Sequence, residues 1–285
     1  MPSSCLSKNI IDYFVRLALR EDVGSGDITT NTCIPAQEVT RARILFREEA
    51  VVCGLPIVKA VFRAMDPRCR FPLSRREGEK VKAGTVVLEV KGRTRAILTG
   101  ERAALNFLGA LSGIATLTRS YTDAIHPSET AIMDTRKTTP GLRPLERYAV
   151  RTGGGVNHRY DLSEMVLIKD NHRQRWPGRL ADLVAHVRRI TKKKIEIEVD
   201  TLEELRDALE GAPEIVLLDN MSPRVMRRAV RIVERYSGKK RPLLEASGGV
   251  TLRTVREIAG TGIDRISIGA LTHSRRSIDL SLEVA

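Results

Sequence analysis

The chain has 285 residues, 42% hydrophobic, 29% charged and 4% aromatic, and a formal net charge of +13. That length and apolar share give one large domain or two ordinary ones with a packed core, and exclude a disordered chain. The charge points to an anionic partner such as nucleic acid, a phosphorylated metabolite or a membrane surface, but so few aromatics leave little to stack bases on.

In chain order, the stretch IIDYFVRLALREDVG is apolar at helical spacing and broken by charge. It reads as an amphipathic helix and not as a signal peptide. No run approaches the roughly 18 apolar residues of a membrane span. Short alternating segments follow up to about residue 100, among them RARILFREEAVVCG and TVVLEVKG. REGEKVKAGTVVLEVKG (76–92) is spaced like a small lipoyl-carrier sandwich, yet Lys80, Lys82 and Lys91 lack the pattern around a modified hairpin lysine. Cys5, Cys33, Cys53 and Cys69 have no metal spacing and stand near no His, as reduced thiols of a cytoplasmic protein would. GERAALNFLGALSGIAT (100–116) is a further amphipathic helix with Arg102 near its start, beside Glu101.

From about residue 130 the rhythm changes. Short apolar runs recur: AIMD (131–134), MVLIKD (165–170), KIEIEVD (194–200), EIVLLD (214–219), PLLEAS (242–247) and DRISIG (264–269). Between most of them lie helical patterns, with starts marked by Thr201 (and Glu204 three residues on), Ser222 and Thr251. Strand and helix in alternation mean βα units and a parallel sheet. The number of units favours barrel-like closure, though six strands fall short of the usual eight. The basic runs KKK (192–194) and KKR (239–241) border apolar runs and read as solvated helix ends or turns.

Each apolar run ends in or beside a polar residue or glycine: Asp134, Lys169, Glu198, Asp219, Ser247, Gly269. In a βα barrel the strand carboxyl ends share one rim, where active sites sit. One such residue is most often a cap; six together suit a site. EASGGV and SIGALTHS put glycine turns after the last two strands, with Ser247, Gly248, Gly249 and Gly269 placed to offer backbone N–H groups to a phosphate. Glu198 and Asp219 end consecutive strands, and in KIEIEVD the isoleucines and Val199 alternate with Glu196 and Glu198, whose acidic side faces the barrel interior. Paired acids beside a phosphate site suit Mg2+, ribose hydroxyls, or a salt bridge to the local arginines. Residues 134–172 crowd Arg136, Lys137, His158, Arg159 and Lys169 with a triple glycine. Arg forks and a mobile Lys charge make a cationic bowl for a small polycarboxylate and a pyrophosphate, too concave for a nucleic-acid groove.

EDVGSGDITT (21–30), GERAALNFLGALSGIAT, DTRKTTPGLRPLERYAVRTGGGVNHRYDLSEMVLIKDNH (134–172), EIEVD, VLLDNMSP, EASGGV and GALTHS together resemble quinolinate phosphoribosyltransferase, in order from about residue 15 to 275. The resemblance implies an N-terminal α/β sandwich followed by an open, incomplete α/β barrel. In residue terms the sandwich takes 1–110, with 274–285 packing back on it, and the barrel takes 111–273. It implies transfer of phosphoribosyl from phosphoribosyl pyrophosphate to quinolinate, with decarboxylation, for NAD synthesis. It assigns Arg136, His158, Arg159 and Lys169 to quinolinate, with Arg102 reaching in from a neighbouring subunit. Lys137 goes to pyrophosphate, Glu198 and Asp219 to Mg2+ and ribose, and Ser247, Gly248, Gly249 and Gly269 to the 5′-phosphate. Lys137, Lys169, Glu198 and Asp219 are the catalytic set. The implied protein is a cytoplasmic dimer or multiple of dimers, with no nucleic-acid or membrane partner. Gly109, Pro144 and YDLSE depart from the family pattern and bear on loop shape. Alternatives are the molybdenum-operon homologue on the same scaffold, a Schiff-base aldolase using Lys169, and a basic nucleic-acid-binding protein.

Overall fold

The computed structural model describes residues 6–238 and 240–284; Cys5 and Lys239, on which the thiol and KKR readings partly rest, lie outside the described residues. Cys33, Cys53 and Cys69 are free. The strands in chain order are β1 (Val39–Phe46), β2 (Ala50–Val51), β3 (Arg70–Ser74), β4 (Lys80–Val81), β5 (Val86–Arg93), β6 (Ala131–Met133), β7 (Val166–Ile168), β8 (Ile195–Val199), β9 (Ile215–Asp219), β10 (Leu243–Ser247), β11 (Arg265–Ser267) and β12 (Leu280–Val284). The chain forms two compact units. One comprises Met1–Arg119, Thr138–Gly154 and Leu271–Ala285; the other Ser120–Lys137 and Gly155–Ala270. Where the expected division keeps 111–273 together, residues 111–119, 138–154 and 271–273 cluster with the first unit.

The first unit is built on an antiparallel sheet in the order β12-β1-β5-β3, with β2 and β4 as a separate pair. In β1 the side chains alternate, and Ala42, Ile44 and Phe46 are buried, as the two-residue period of a half-covered strand requires. The helix Leu55–Met65 starts after Gly54 at φ +115, and the Glu77 carboxylate accepts the N–H groups of Gly54 and Leu55 that the helix leaves unpaired. Arg102 was expected near a helix start. It lies instead well inside the long helix Thr94–Ile125, because β5 runs straight into that helix at Arg93/Thr94 with no turn to mark the boundary.

The second unit holds a six-stranded parallel sheet in the order β6-β11-β10-β9-β8-β7. All six expected strands are present, and the edge strands β6 and β7 do not pair with each other, so the barrel is open. β8 is buried along its whole length. Thr201 caps the helix Leu202–Glu210 by accepting the Glu204 N–H, and Ser222 caps Pro223–Glu234 by accepting that of Val225. Thr251 caps nothing. Its carbonyl closes a turn onto the N–H groups of Thr254 and Val255, and the helix is only Val255–Ala259. Among the described residues, no helix is long and apolar enough to cross a membrane.

Candidate active site

Parallel register puts matching residues of neighbouring strands on the same face. Glu198 aligns with Leu217, Leu217 with Glu245, Asp219 with Ser247, and Ser247 with Ser267. With the two-residue period, one face therefore carries Glu196, Glu198, Asp219, Glu245, Ser247 and Ser267.

At the strand ends, oxygens of Glu198, Asp200 and Asp219 lie within 4.8 Å of one another. Burial raises the Asp219 pKa, the Glu198 charge adds to that, and a 2.7 Å hydrogen bond from Asn220 Nδ2 opposes it. Asp200 is tied to Arg173 Nη2 at 2.6 Å. Lys169 Nζ is 2.8 Å from Glu198 Oε2. This is a point-charge contact, not the apolar niche that a Schiff-base lysine needs. Two hard oxygen donors at neighbouring strand ends, with Asp219 pushed toward its protonated form, fit a divalent cation that would relieve their repulsion.

Beside the acids stand the cations. The Asp134 carboxylate, fully buried, accepts the His158 backbone N–H and Asn157 Nδ2–H, each at 2.6 Å, and so fixes the turn that carries His158 and Arg159. Arg159 Nη1 donates to the Met165 carbonyl at 2.9 Å. Burial lowers the Arg159 pKa and the Arg136 charge lowers it further, against the pull of Glu196 and Asp161. Two guanidiniums that repel each other in a half-buried place favour an anion between them. Lys137, exposed, follows Arg136 on the same loop, and its N–H is held by Thr135 Oγ1 at 3.1 Å. Arg143, Arg147 and Arg151, in the same crowded stretch, belong to the helix Arg143–Thr152 of the first unit. Arg102 is also in the first unit, exposed and without a salt bridge among the described residues. Burial raises the Glu101 pKa and the neighbouring Arg102 charge lowers it, with no salt bridge between the two among the described residues.

The glycine turn after β10 has a steric reason. Gly248 sits at φ +97, and a Cβ there would lie 2.1 Å from Asn220 Oδ1; Gly249 follows at φ +59. The turn does not lead directly into a helix, so backbone N–H groups, and not a long helix end, are what it offers an anion. Gly269 follows β11 and directly precedes the short helix Ala270–His273.

Below the rim is a group that the sequence reading did not single out. His158 Nε2 is 3.1 Å from Glu196 Oε2 and 3.3 Å from Glu245 Oε1, and all three residues are buried. Burial alone would lower the His158 pKa; the two carboxylates outweigh it and push it up to about 10. Yet the Arg159 N–H points at His158 Nδ1 at 2.8 Å and needs a lone pair there. A ring charged by the two carboxylates would carry its second proton at Nδ1, against that donor, so the acids and the Arg159 N–H pull His158 in opposite directions. Burial raises the Glu196 pKa, while His158 and Ser267 hold that of Glu245 down against burial. The KIEIEVD alternation already turns Glu196 inward; Glu245 carried no comparable signal.

The quinolinate phosphoribosyl transferase N-terminal domain model matches residues 27–112, and its C-terminal domain model matches 114–283. The chain belongs to the quinolinate phosphoribosyl transferase family. It is 42% identical, over 99% of its length and 96% of the relative's, to a protein of Synechocystis sp. named probable nicotinate-nucleotide pyrophosphorylase (carboxylating). It is 40% identical, over 95% of each chain, to the nicotinate-nucleotide pyrophosphorylase (carboxylating) of Mycobacterium leprae. The crystal structure of NadC from Streptococcus pyogenes superposes with a TM-score of 0.94 at 36% identity, covering 99% of each chain.

Proposed function

We propose that this chain transfers phosphoribosyl from phosphoribosyl pyrophosphate to quinolinate and releases CO2 and pyrophosphate, giving nicotinate mononucleotide for NAD synthesis. The observation that carries the reading is the divided rim: repelling guanidiniums on the loops after β6 and before β7, crowded acids after β8 and β9, and glycine turns after β10 and β11. A dicarboxylate, a metal-bound pyrophosphate and a 5′-phosphate need those three chemistries side by side.

Arg136, Arg159 and Lys169 take the quinolinate carboxylates, with His158 among them and Arg102 contributed by a partner subunit. Lys137 faces the pyrophosphate. Glu198 and Asp219 hold Mg2+ and the ribose hydroxyls, and Ser247, Gly248, Gly249 and Gly269 cradle the 5′-phosphate. Mg2+, when bound, supplies charge neutralisation to the leaving pyrophosphate. The Lys137 ammonium adds to that as the C1′–oxygen bond breaks and the pyridine nitrogen bonds C1′. The cationic bowl holds the pyridine nitrogen in line with C1′, so that orientation supplies much of the rate. In the second stage the carboxylate beside that nitrogen leaves as CO2, and the ring carbon takes up a proton. The enzyme acts in the cytoplasm as a dimer or a multiple of dimers, without nucleic-acid or membrane partners.

The test is an assay for nicotinate mononucleotide from quinolinate and phosphoribosyl pyrophosphate with Mg2+. Turnover supports the reading, and its absence with folded protein overturns it. The shared site has its own check. Arg102→Ala and Lys169→Ala homodimers should both be nearly inactive, while co-refolded heterodimers regain up to one intact site in two. Heterodimers that form without recovery would place Arg102 outside the partner's site.

A further inference from the structure

Asn220 is the first residue after β9, and among the described residues only it and Ala212 take a positive φ without being glycine. Its φ is +50, in the left-handed region where a Cβ crowds the following carbonyl. Backbone strain of that kind collects where a turn has to aim something. Asn accepts it more readily than most residues, because its short carboxamide finds hydrogen bonds close by. Glycine would serve the backbone with no strain at all. What glycine lacks is the side chain, and here that side chain meets both halves of the phosphoribosyl end.

On one side, Asn220 Nδ2 donates to Asp219 Oδ2 at 2.7 Å, which fixes the carboxylate and leaves Oδ1 for another partner. That carboxylate is one of the three whose oxygens crowd within 4.8 Å at the rim. On the other side, Asn220 Oδ1 fills the space that a Cβ at Gly248 would need, 2.1 Å from where that atom would stand. Gly248, at φ +97, opens the turn after β10. The Asn220 N–H donates to the Ser247 carbonyl at 2.9 Å and so carries the β9–β10 pairing, which aligns Asp219 with Ser247, one step past the sheet. One residue thus joins the acid on β9 to the glycine turn on β10. Aspartate has the same outline and tolerates the same φ, but it would set a second carboxylate against Asp219.

We propose that Asn220 is a positioning residue for the phosphoribosyl substrate, which locks the spacing between the carboxylate that serves ribose and metal and the turn that cradles the 5′-phosphate. The inference rests on the reading of Asp219 and the Gly248 turn as those two subsites. A ligand that has to touch both ends feels a wrong spacing. Quinolinate, held by cations of other loops, does not.

Two measurements test it. In the first, Asn220→Gly keeps the backbone conformation and removes the joint, so it should melt close to wild type. Calorimetric titration with phosphoribosyl pyrophosphate and Mg2+, without quinolinate, should show affinity lower by about tenfold or more, a loss typical of misplaced binding groups. KM for phosphoribosyl pyrophosphate should rise in step, while KM for quinolinate barely moves. Asn220→Asp, with the same outline and no donor, should lose at least as much affinity. Wild-type affinity for phosphoribosyl pyrophosphate in either variant overturns the proposal, as does an equal rise in both KM values.

The second needs no substrate. Gly248→Ala drives its Cβ against Asn220 Oδ1, and in an Asn220→Gly background that atom is gone. The fall in melting temperature caused by Gly248→Ala should therefore shrink by about half in that background, the backbone strain at φ +97 remaining. An equal fall in both backgrounds would make the side chain and the turn independent, and would overturn the joint. The melts read the joint whether or not the protein binds phosphoribosyl pyrophosphate, so failure of the proposed function and failure of this inference are separable.

Discussion

The carboxylates of the first unit and those at the rim of the parallel sheet are kept in opposite ways. In the first unit Glu77 accepts the N–H groups of Gly54 and Leu55 and the Tyr148 hydroxyl. Asp66 accepts both the backbone N–H and the guanidinium of Arg68. Glu48 takes Arg276 and the Asp279 N–H. Hydrogen bonds hold the Asp66 and Glu48 pKa values below the ordinary carboxylate range, outweighing burial. At the rim, Glu198, Asp200 and Asp219 crowd within 4.8 Å, and Asp219 is pushed up by burial and by Glu198. Acids whose lone pairs are filled by their own chain hold the fold. The rim acids also have partners in their own chain, Lys169, Arg173 and Asn220, but their crowding still raises the Asp219 pKa and suits a cation from outside.

Three substitutions sharpen this contrast, from the largest effect to the smallest. Arg136→Ala removes a charge-assisted fork from the cationic half. Its loss should weaken quinolinate binding by about 2–5 kcal/mol, roughly 30- to several-thousand-fold, with little change in melting temperature. Calorimetric titration with quinolinate reads this directly, and wild-type affinity would remove Arg136 from the site. Gly248→Ala forces a Cβ against Asn220 at a φ of +97. It should cost about 1–3 kcal/mol of stability and raise KM for phosphoribosyl pyrophosphate more than that for quinolinate. Equal effects on both would make the turn purely structural.

The smallest effect belongs to an acid of the second unit that is satisfied as those of the first unit are. Glu214 is half-buried, which raises its pKa, but Arg188 Nη2 at 2.6 Å and the Ile195 N–H at 2.8 Å outweigh that and bring it below its ordinary value of 4.5. A lowered folded pKa gives stability that is full above the unfolded value and lost as pH falls through the folded one. Glu214→Gln should therefore lower stability at neutral pH and flatten its decline below pH 4.5. Urea melts along an acid series check this, and an unchanged acid slope would deny the linkage.

The parallel sheet was legible because its strands are short apolar runs with polar ends, and Thr201 and Ser222 stand where a side-chain oxygen reaches the third residue on. Thr251 looked the same locally. A turn over 252–254 intervenes there, and turn geometry leaves no periodic trace. The start of the Arg102 helix was hidden because the chain passes from β5 to the helix at Arg93/Thr94 with no turn between them, the nearby Gly92 lying inside the strand. The rim residues could be read one by one, since each ends a run. The buried cluster could not: Glu196 and Glu245 sit mid-strand on two non-adjacent strands, and only the three-dimensional packing brings both to His158.

The most direct measurement compares Glu77→Gln with Glu198→Gln in both chemical melts and Mg2+-titrated turnover. The predicted outcome is a crossed pair. Glu77→Gln loses about 1–3 kcal/mol of stability and keeps its KM values and Mg2+ dependence. Glu198→Gln keeps or gains stability and loses Mg2+-dependent turnover. If Glu198→Gln instead melts as early as Glu77→Gln and responds to Mg2+ like wild type, the rim acids hold the fold and the account is wrong.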